Sequence, residues 1–328
     1  MTWPMPFRRR EKHEHFGLVF LWWEPDRACI ALQRLLERLV SIEGASLRAV
    51  YIVDNSDTAS RTPCVLPPRC PPPRIVRGDN TSYEFSGWQV GIDNAEPLPV
   101  WLFANDRYET VDYPYAKLLT SRVLEFVRRE RAAVGKLDAF PIPVISRGLV
   151  VSPWLRTAFF LISSEALDAT GGLVSVDEPD VASWGRCGED DRQLYVPGVS
   201  PRHLAYILGF LTNIPAAGYD AAWYRKLDVE ADLAEVLRKV RSILNEQFLS
   251  ARVVAAGGAL LDLRLAHALS HTRCQRLATW AADTARQDPE FVMKTLGRRR
   301  VLLILQVLSP LLRQLAWTQK RARSIVQV

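Results

Sequence analysis

Acid-rich stretches occur at three places in this sequence where residue type and spacing suit group-transfer chemistry. The first is Val53-Asp54-Asn55-Ser56-Asp57, an apolar stretch that stops at an acid and an amide. The second is Trp101-Leu102-Phe103-Ala104-Asn105-Asp106-Arg107, which stops the same way and adds a cation. The third is Gly188-Glu189-Asp190-Asp191, inside a long polar segment. A carboxylate at the C-terminal end of a buried parallel strand stands where open α/β sheets place their ligands. Asp54 suits hydrogen bonds from a base or a ribose, and equally the capping of a turn. Asp106, with Asn105 beside it, suits a hard cation such as Mg²⁺ or Mn²⁺ bridging phosphates. Arg107 offers the metal-independent alternative, direct bidentate neutralisation of a diphosphate. Crowding of Glu189, Asp190 and Asp191 would raise one carboxyl's pKa toward a value useful for a general base; the same cluster also reads as a solvated acidic turn.

Elements that would position these groups follow from hydrophobic periodicity. Residues 16–21 read as a buried strand, 26–40 as a helix with apolar residues at helical spacing, and 47–53 as a second strand. The chain thus opens with the β-α-β unit of a parallel sheet. Residues 62–73 are proline-rich loop, 74–77 a short strand, 82–94 a helix with small residues on one side, and 100–104 a strand. A longer helix with a basic end is expected over 113–132, extended segments over 143–151 and 157–162, and a short helix over 164–170 closed by Gly171-Gly172. Residues 172–197 read as one long acidic loop. Beyond about 201 the pattern is all helical, with an amphipathic helix over 228–248, a second over 259–287 and a third over 290–320 interrupted near Pro310.

In their order along the chain, these segments resemble family-two glycosyltransferases of the GT-A fold, especially those of bacterial surface-polysaccharide biosynthesis. The likeness covers roughly residues 16–200. It rests on Val53-Asp54-Asn55-Ser56-Asp57, on Gly78-Asp79-Asn80 followed by Ser86-Gly87-Trp88 and Gly91-Ile92, and on the strand ending at Asn105-Asp106. It also rests on residues 159–167 with Gly171-Gly172, and on Gly188-Glu189-Asp190-Asp191. The pattern along the chain gives an α/β domain over 1–215 and a helical extension over 216–328, and the resemblance makes the first a GT-A-like, mostly parallel sheet flanked by helices. It implies an inverting transfer of a sugar from a nucleoside diphosphate sugar to a saccharide or lipid-linked acceptor. Asp54, Asn55, Asp79, Asn80, Trp88 and Arg107 would bind the donor, Asp106 and Asn105 a metal, and one of Glu189, Asp190 and Asp191 would be the base. Trp22 and Trp23 could pack on the donor base, or equally be core or surface residues, and Trp184 and Tyr195 could stack on sugar rings. The family's motif carries two acids one residue apart, whereas this chain has Asn105-Asp106-Arg107. That departure supports a second reading, a non-catalytic glycan-binding or scaffold protein of a polysaccharide assembly complex.

Composition sets the remaining bounds. With 328 residues, 48% hydrophobic and 24% charged, the chain is an ordinary globular one. Its net charge of +6 is concentrated at the end: residues 291–328 carry eight basic side chains and no Asp or Glu, which leaves the preceding body slightly acidic. The apolar run over 301–312 is short of the ~20 residues a spanning helix needs. With basic ends, it suits an anionic membrane surface or a buried helix. An acidic body and the absence of a recognisable motif argue against nucleic acid. Five scattered cysteines do not read as a disulfide framework. No secretory signal is visible, and a cytoplasmic location follows as the default expectation. His267, His271 and Cys274 share a helix face without a fourth ligand, and read as structural.

Overall fold

The computed structural model describes residues 13–56, 65–111, 113–140, 142–181, 184–187, 191–212, 227–228, 231–272 and 275–296. Its elements in chain order are β1 (Glu14–Trp22), α1 (Pro25–Val40), β2 (Ala45–Asp54), β3 (Arg74–Arg77), α2 (Glu84–Asp93) and β4 (Val100–Asn105). Short helices α3 (Tyr108–Val111) and α4 (Tyr113–Ala116) lead to α5 (Ser121–Arg129), β5 (Ala132–Asp138), the hairpin β6 (Ile145–Ser146) and β7 (Leu149–Val150), then β8 (Trp154–Ser163) and α6 (Ser164–Ala169). A second hairpin, β9 (Trp184–Cys187) and β10 (Asp191–Leu194), precedes α7 (Pro201–Leu211), α8 (Leu233–Ala255), β11 (Ala259–Asp262), α9 (Leu263–His271), α10 (Gln275–Gln287) and α11 (Pro289–Leu296).

Seven strands form one sheet in the order β11-β5-β8-β4-β1-β2-β3. All run parallel except β8, which is antiparallel to both neighbours. The architecture is a mixed, mostly parallel sheet flanked by helices with a C-terminal helical extension, a GT-A-like α/β fold. Strand alternation divides the core. Phe16, Leu18 and Phe20 of β1 face a cluster shared with α1, α5, α9 and α10, while Val19 and Leu21 face one shared with α2, α6 and α8. With α1 and α2 on opposite faces, the order reverses between β1 and β4, and a crevice opens at the carboxyl ends of those strands.

Glycines let α2 press onto the sheet. A Cβ on Gly87 would stand 2.4 Å from the Leu21 methyl, and one on Gly91 2.5 Å from a Val19 methyl. The small residues of this helix are therefore a packing requirement.

Three expectations are corrected. The helix expected over 113–132 is broken: Thr120 Oγ1 accepts from the Val123 amide and caps a new helix, α5, and Arg131 at φ 50 turns the chain into β5. Ala132-Ala133-Val134 is a strand because β8 and β11 pair with it, which local periodicity does not record. The start of the helix expected over 259–287 is likewise the edge strand β11, after which Asp262 Oδ1 accepts from the Arg264 amide and starts α9. The segment over 172–197 is not one loop, since β9 and β10 pair within it. In addition Cys29, buried on α1, is disulfide-bonded, while Cys70 is a free thiol. Among the described residues, no helix is long and apolar enough to cross a membrane.

Candidate functional site

The crevice at the strand ends is built by short-range polar contacts. Asp54 Oδ1 accepts from the Ser56 amide at 3.0 Å and from Ser56 Oγ at 2.6 Å, and lies 3.5 Å from the Arg77 guanidinium. Asp54 thus caps the turn after β2 and anchors the end of β3. Asp79, exposed, closes a similar turn on Thr81, and Asn80 adopts φ 57. Asn55 is 1% exposed; its Nδ2 donates to the Tyr83 carbonyl, and its Oδ1 lies where a Cβ on Gly78 would have to go. Its side chain holds the loop that shapes the crevice and offers no surface to a donor.

Trp88 is a correction. It is fully buried among Phe85, Phe103 and Phe160, with its indole N–H directed at the Ala104 carbonyl. An indole at the centre of the core does not reach a nucleotide. Trp23, just after β1, and Tyr83, just before α2, are both half-buried, with ring centroids 5.3 Å apart. Trp22, by contrast, is buried in the core. Lys239 Nζ stands 3.8 Å from the Tyr83 ring centroid and the Arg238 guanidinium 5.5 Å from it. Both cations come from α8, so a helix remote in sequence adds positive charge beside Tyr83.

At the end of β4, Asp106 is 3% exposed and its Oδ2 accepts from the Glu24 amide at 3.2 Å, tying β4 to the segment after β1 at the switch point. Asn105 Oδ1 accepts from the Arg107 amide at 3.0 Å. Both oxygen donors expected to hold a metal are engaged with backbone amides, and the neighbouring side chain, Arg107, is a cation. Among the described residues, no group of three or more His, Cys, Asp or Glu is arranged to hold an ion. Asp106 Oδ2 and Asn105 Oδ1 thus already serve as acceptors at the end of β4.

Next to this point lies a cavity of about 220 Å³. Asn105 at the end of β4 and Arg107 just after it border the cavity, as do Asp138, Arg156 and Thr157 from the ends of β5 and β8. Lys239, Ser242, Ile243, Glu246 and Gln247 border it from α8 at helical spacing. One wall is aromatic: Phe140 stacks on Tyr206 at 4.9 Å and packs on Trp154 at 4.6 Å. Glu84, at the start of α2, is buried and its Oε2 accepts from Ser242 Oγ. Glu246 Oε1 accepts from the Thr157 amide at 2.9 Å. Burial, with the Glu84 carboxylate second, pushes the Glu246 carboxyl up to about 8. Behind the wall, burial pushes the His203 pKa down. Its Nε2 faces Gln247 Oε1 and its Nδ1 faces Ser146 Oγ, so a neutral ring with its proton on Nε2 fixes Gln247 in place.

Sequence periodicity gives α8 an apolar face, and the structure buries its polar face as well. Asn245 Oδ1 accepts from the amides of Ser175 and Val176, its Nδ2 donates to the Val176 carbonyl, and Arg241 donates to the carbonyls of Thr81 and Val181. Buried polar groups find partners, and here the partners are loops that a helical-wheel reading does not contain. The signal available in sequence was Lys239, Ser242 and Glu246 at i, i+3 and i+7 on a helix otherwise rich in Leu and Val.

Glu189 and Asp190 lie outside the described residues. Asp191 begins β10 opposite Cys187. Trp184 begins β9, and Tyr195 is exposed. His267 and His271 stack on each other at 4.3 Å, and Cys274 lies outside the described residues.

No protein-family model matches the chain, and no curated protein does. Among solved structures, the chain is similar to 4-diphosphocytidyl-2C-methyl-D-erythritol synthase from Anaerococcus prevotii DSM 20548, at 11% identity and a TM-score of 0.27, over 54% of this chain and 81% of that one. A likeness this distant carries no argument about activity.

Proposed function

We propose that the chain is an inverting glycosyltransferase that moves a sugar from a nucleoside diphosphate sugar to a hydroxyl of a saccharide or lipid-linked saccharide. One observation carries the reading: a cavity at the carboxyl ends of β4 and β5 sets cations, stacked aromatics and enclosed carboxylates around one space. Transfer to a hydroxyl uses all three. Trp23 and Tyr83 suit the base. Lys239, Arg238 and Arg107 suit the diphosphate, whose negative charge grows as the sugar leaves. Phe140, Trp154 and Tyr206 suit a sugar ring, and a carboxylate accepts the proton of the attacking hydroxyl. Asp54, Asp79 and Asn80 then shape the donor crevice through their turns. Glu189, Asp190 and Asp191 stay candidates for the acceptor side, with Trp184 and Tyr195 as stacking partners. The metal-free form of the reaction, with Arg107 in the cation's place, agrees with the side-chain arrangement at Asn105 and Asp106. A lipid-linked acceptor would be met at an anionic inner membrane face through residues 291–328.

A second reading is a glycan-binding or scaffold protein without turnover. Asp106, turned to the Glu24 amide, favours it. A thermal-shift screen against UDP, dTDP, GDP and CMP, each with and without Mn²⁺, tests both. A ligand that binds only the folded state raises Tm. A shift with one nucleotide supports the transferase and names its donor class. An equal shift without Mn²⁺ supports Arg107. A folded protein with no shift at millimolar ligand refutes the transferase reading.

A further inference from the structure

We propose that Glu246, on α8, is the carboxylate that takes the proton from the acceptor hydroxyl. This assignment rests on the transferase reading and places the base on a helix of the C-terminal third of the chain, far in sequence from the Glu189–Asp191 cluster.

Geometry supports it in three ways. Glu246 borders the cavity that begins at Asn105 and Arg107, so a hydroxyl bound there is within its reach. The hydrogen bond from the Thr157 amide to Oε1 fixes the carboxyl against the start of β8. The stacked Phe140 and Tyr206, lining the same cavity, give a sugar ring a surface there. The charged and titratable groups around Glu246 come from every element packed here: Glu84 from α2, Asp138 from β5, Arg156 from β8, Arg107 after β4, Tyr206 from α7 and Lys239 from α8 itself. Glu84 and Asp138 raise the proton affinity of Glu246, and Arg156 lowers it, with burial the largest influence.

The step balances without a further reactant. The acceptor O–H bond breaks and its proton passes to Glu246. The acceptor oxygen forms a bond to the anomeric carbon, and the bond from that carbon to the phosphate oxygen breaks. The electron pair leaves on the nucleoside diphosphate, facing Arg107 and Lys239. A carboxyl held near 8 works as a base only in its ionised fraction, so the rate climbs with pH up to about 8 and then levels. A solvated acidic turn would give a rate already level at neutral pH.

The test is release of UDP from UDP-glucose, of dTDP from dTDP-glucose and of GDP from GDP-mannose, with water as acceptor, between pH 5.5 and 9.5. It compares the full chain, Glu246→Gln and, as a control on the same helix, the exposed Glu235→Gln. Binding of each sugar nucleotide is measured alongside by calorimetry, and folding by circular dichroism. The expected result is a loss in kcat of about 100-fold or more in Glu246→Gln. Donor affinity stays within about threefold, and the rise with pH disappears. An unchanged rate and pH profile in a Glu246→Gln protein that binds donor overturns the assignment while leaving a transferase. A wild type that binds donor without releasing nucleotide overturns the transferase reading, and the assignment with it. A folded wild type that binds none of the three overturns the transferase reading itself.

Discussion

Replacing Glu246 with Gln should make the protein more resistant to alkaline pH, independent of any ligand. The reasoning is one of linkage. In the unfolded chain the carboxyl titrates near its ordinary 4.5; in the fold it is pushed up to about 8 by burial and by Glu84. Below 4.5 both states hold the proton and ionisation costs the fold nothing. As pH rises from there, the unfolded state ionises while the folded state does not, and stability falls until it levels above about 8. At about 1.4 kcal/mol per pH unit, the full loss across that window is about 5 kcal/mol. Solvent entering the cavity reduces the cost of a charge there, so about 2–4 kcal/mol is the expected size. Gln has the shape of the protonated acid and keeps an oxygen for the Thr157 amide. It also removes the ionisation. Urea melts of wild type and Glu246→Gln at pH 5 and pH 8.5 measure the difference directly. The variant should gain about 2–4 kcal/mol relative to wild type on going from the lower to the higher pH. A relative stability unchanged within about 0.5 kcal/mol would refute the reasoning, because the carboxyl would then be as well solvated in the fold as outside it.

Three other perturbations probe separate parts of the structure. Trp88→Ala should cost about 3–5 kcal/mol in denaturant melts by emptying the core between Phe103 and Phe160, and in whatever fraction folds, nucleotide affinity should be unchanged. Gly87→Ala should cost about 1–3 kcal/mol by forcing α2 off Leu21; a neutral melt would show that the helix shifts freely. Lys239→Ala should weaken binding of the nucleoside diphosphate found in the screen by about tenfold or more in calorimetry, the loss of one charge-assisted contact, with a reduced dependence on salt.

How much of this was legible in sequence differs by element. The first two strands, α1, the short β3 and α2 follow from periodicity and turn chemistry, because each buries a regular face or is bounded by Gly, Pro and Asx residues. The acidic strand ends at Asp54 and Asp106 were found by position. The contacts they make were not, because Asp54 Oδ1 accepts from Ser56 and Asp106 Oδ2 from the Glu24 amide, and neither contact is implied by neighbouring residues alone. Trp88 shows the same limit in an apolar residue. A tryptophan on a loop-to-helix segment reads equally as a stacking platform or as core, and burial among Phe85, Phe103 and Phe160 decides it.

By itself the sequence determined the opening β-α-β unit, the buried β1, a second helix with small residues on one side, and the basic end of the chain. These depend on local period and side-chain size. Tertiary structure alone decided that Ala259-Leu260-Leu261-Asp262 is a strand, since four residues have no stable extended form until β5 pairs with them. It also decided that both faces of α8 are interior. That second decision builds the candidate site. Charge and carboxylate from α8 meet the ends of β4, β5 and β8 in one cavity, and the burial that brings them together is what raises the proton affinity of Glu246.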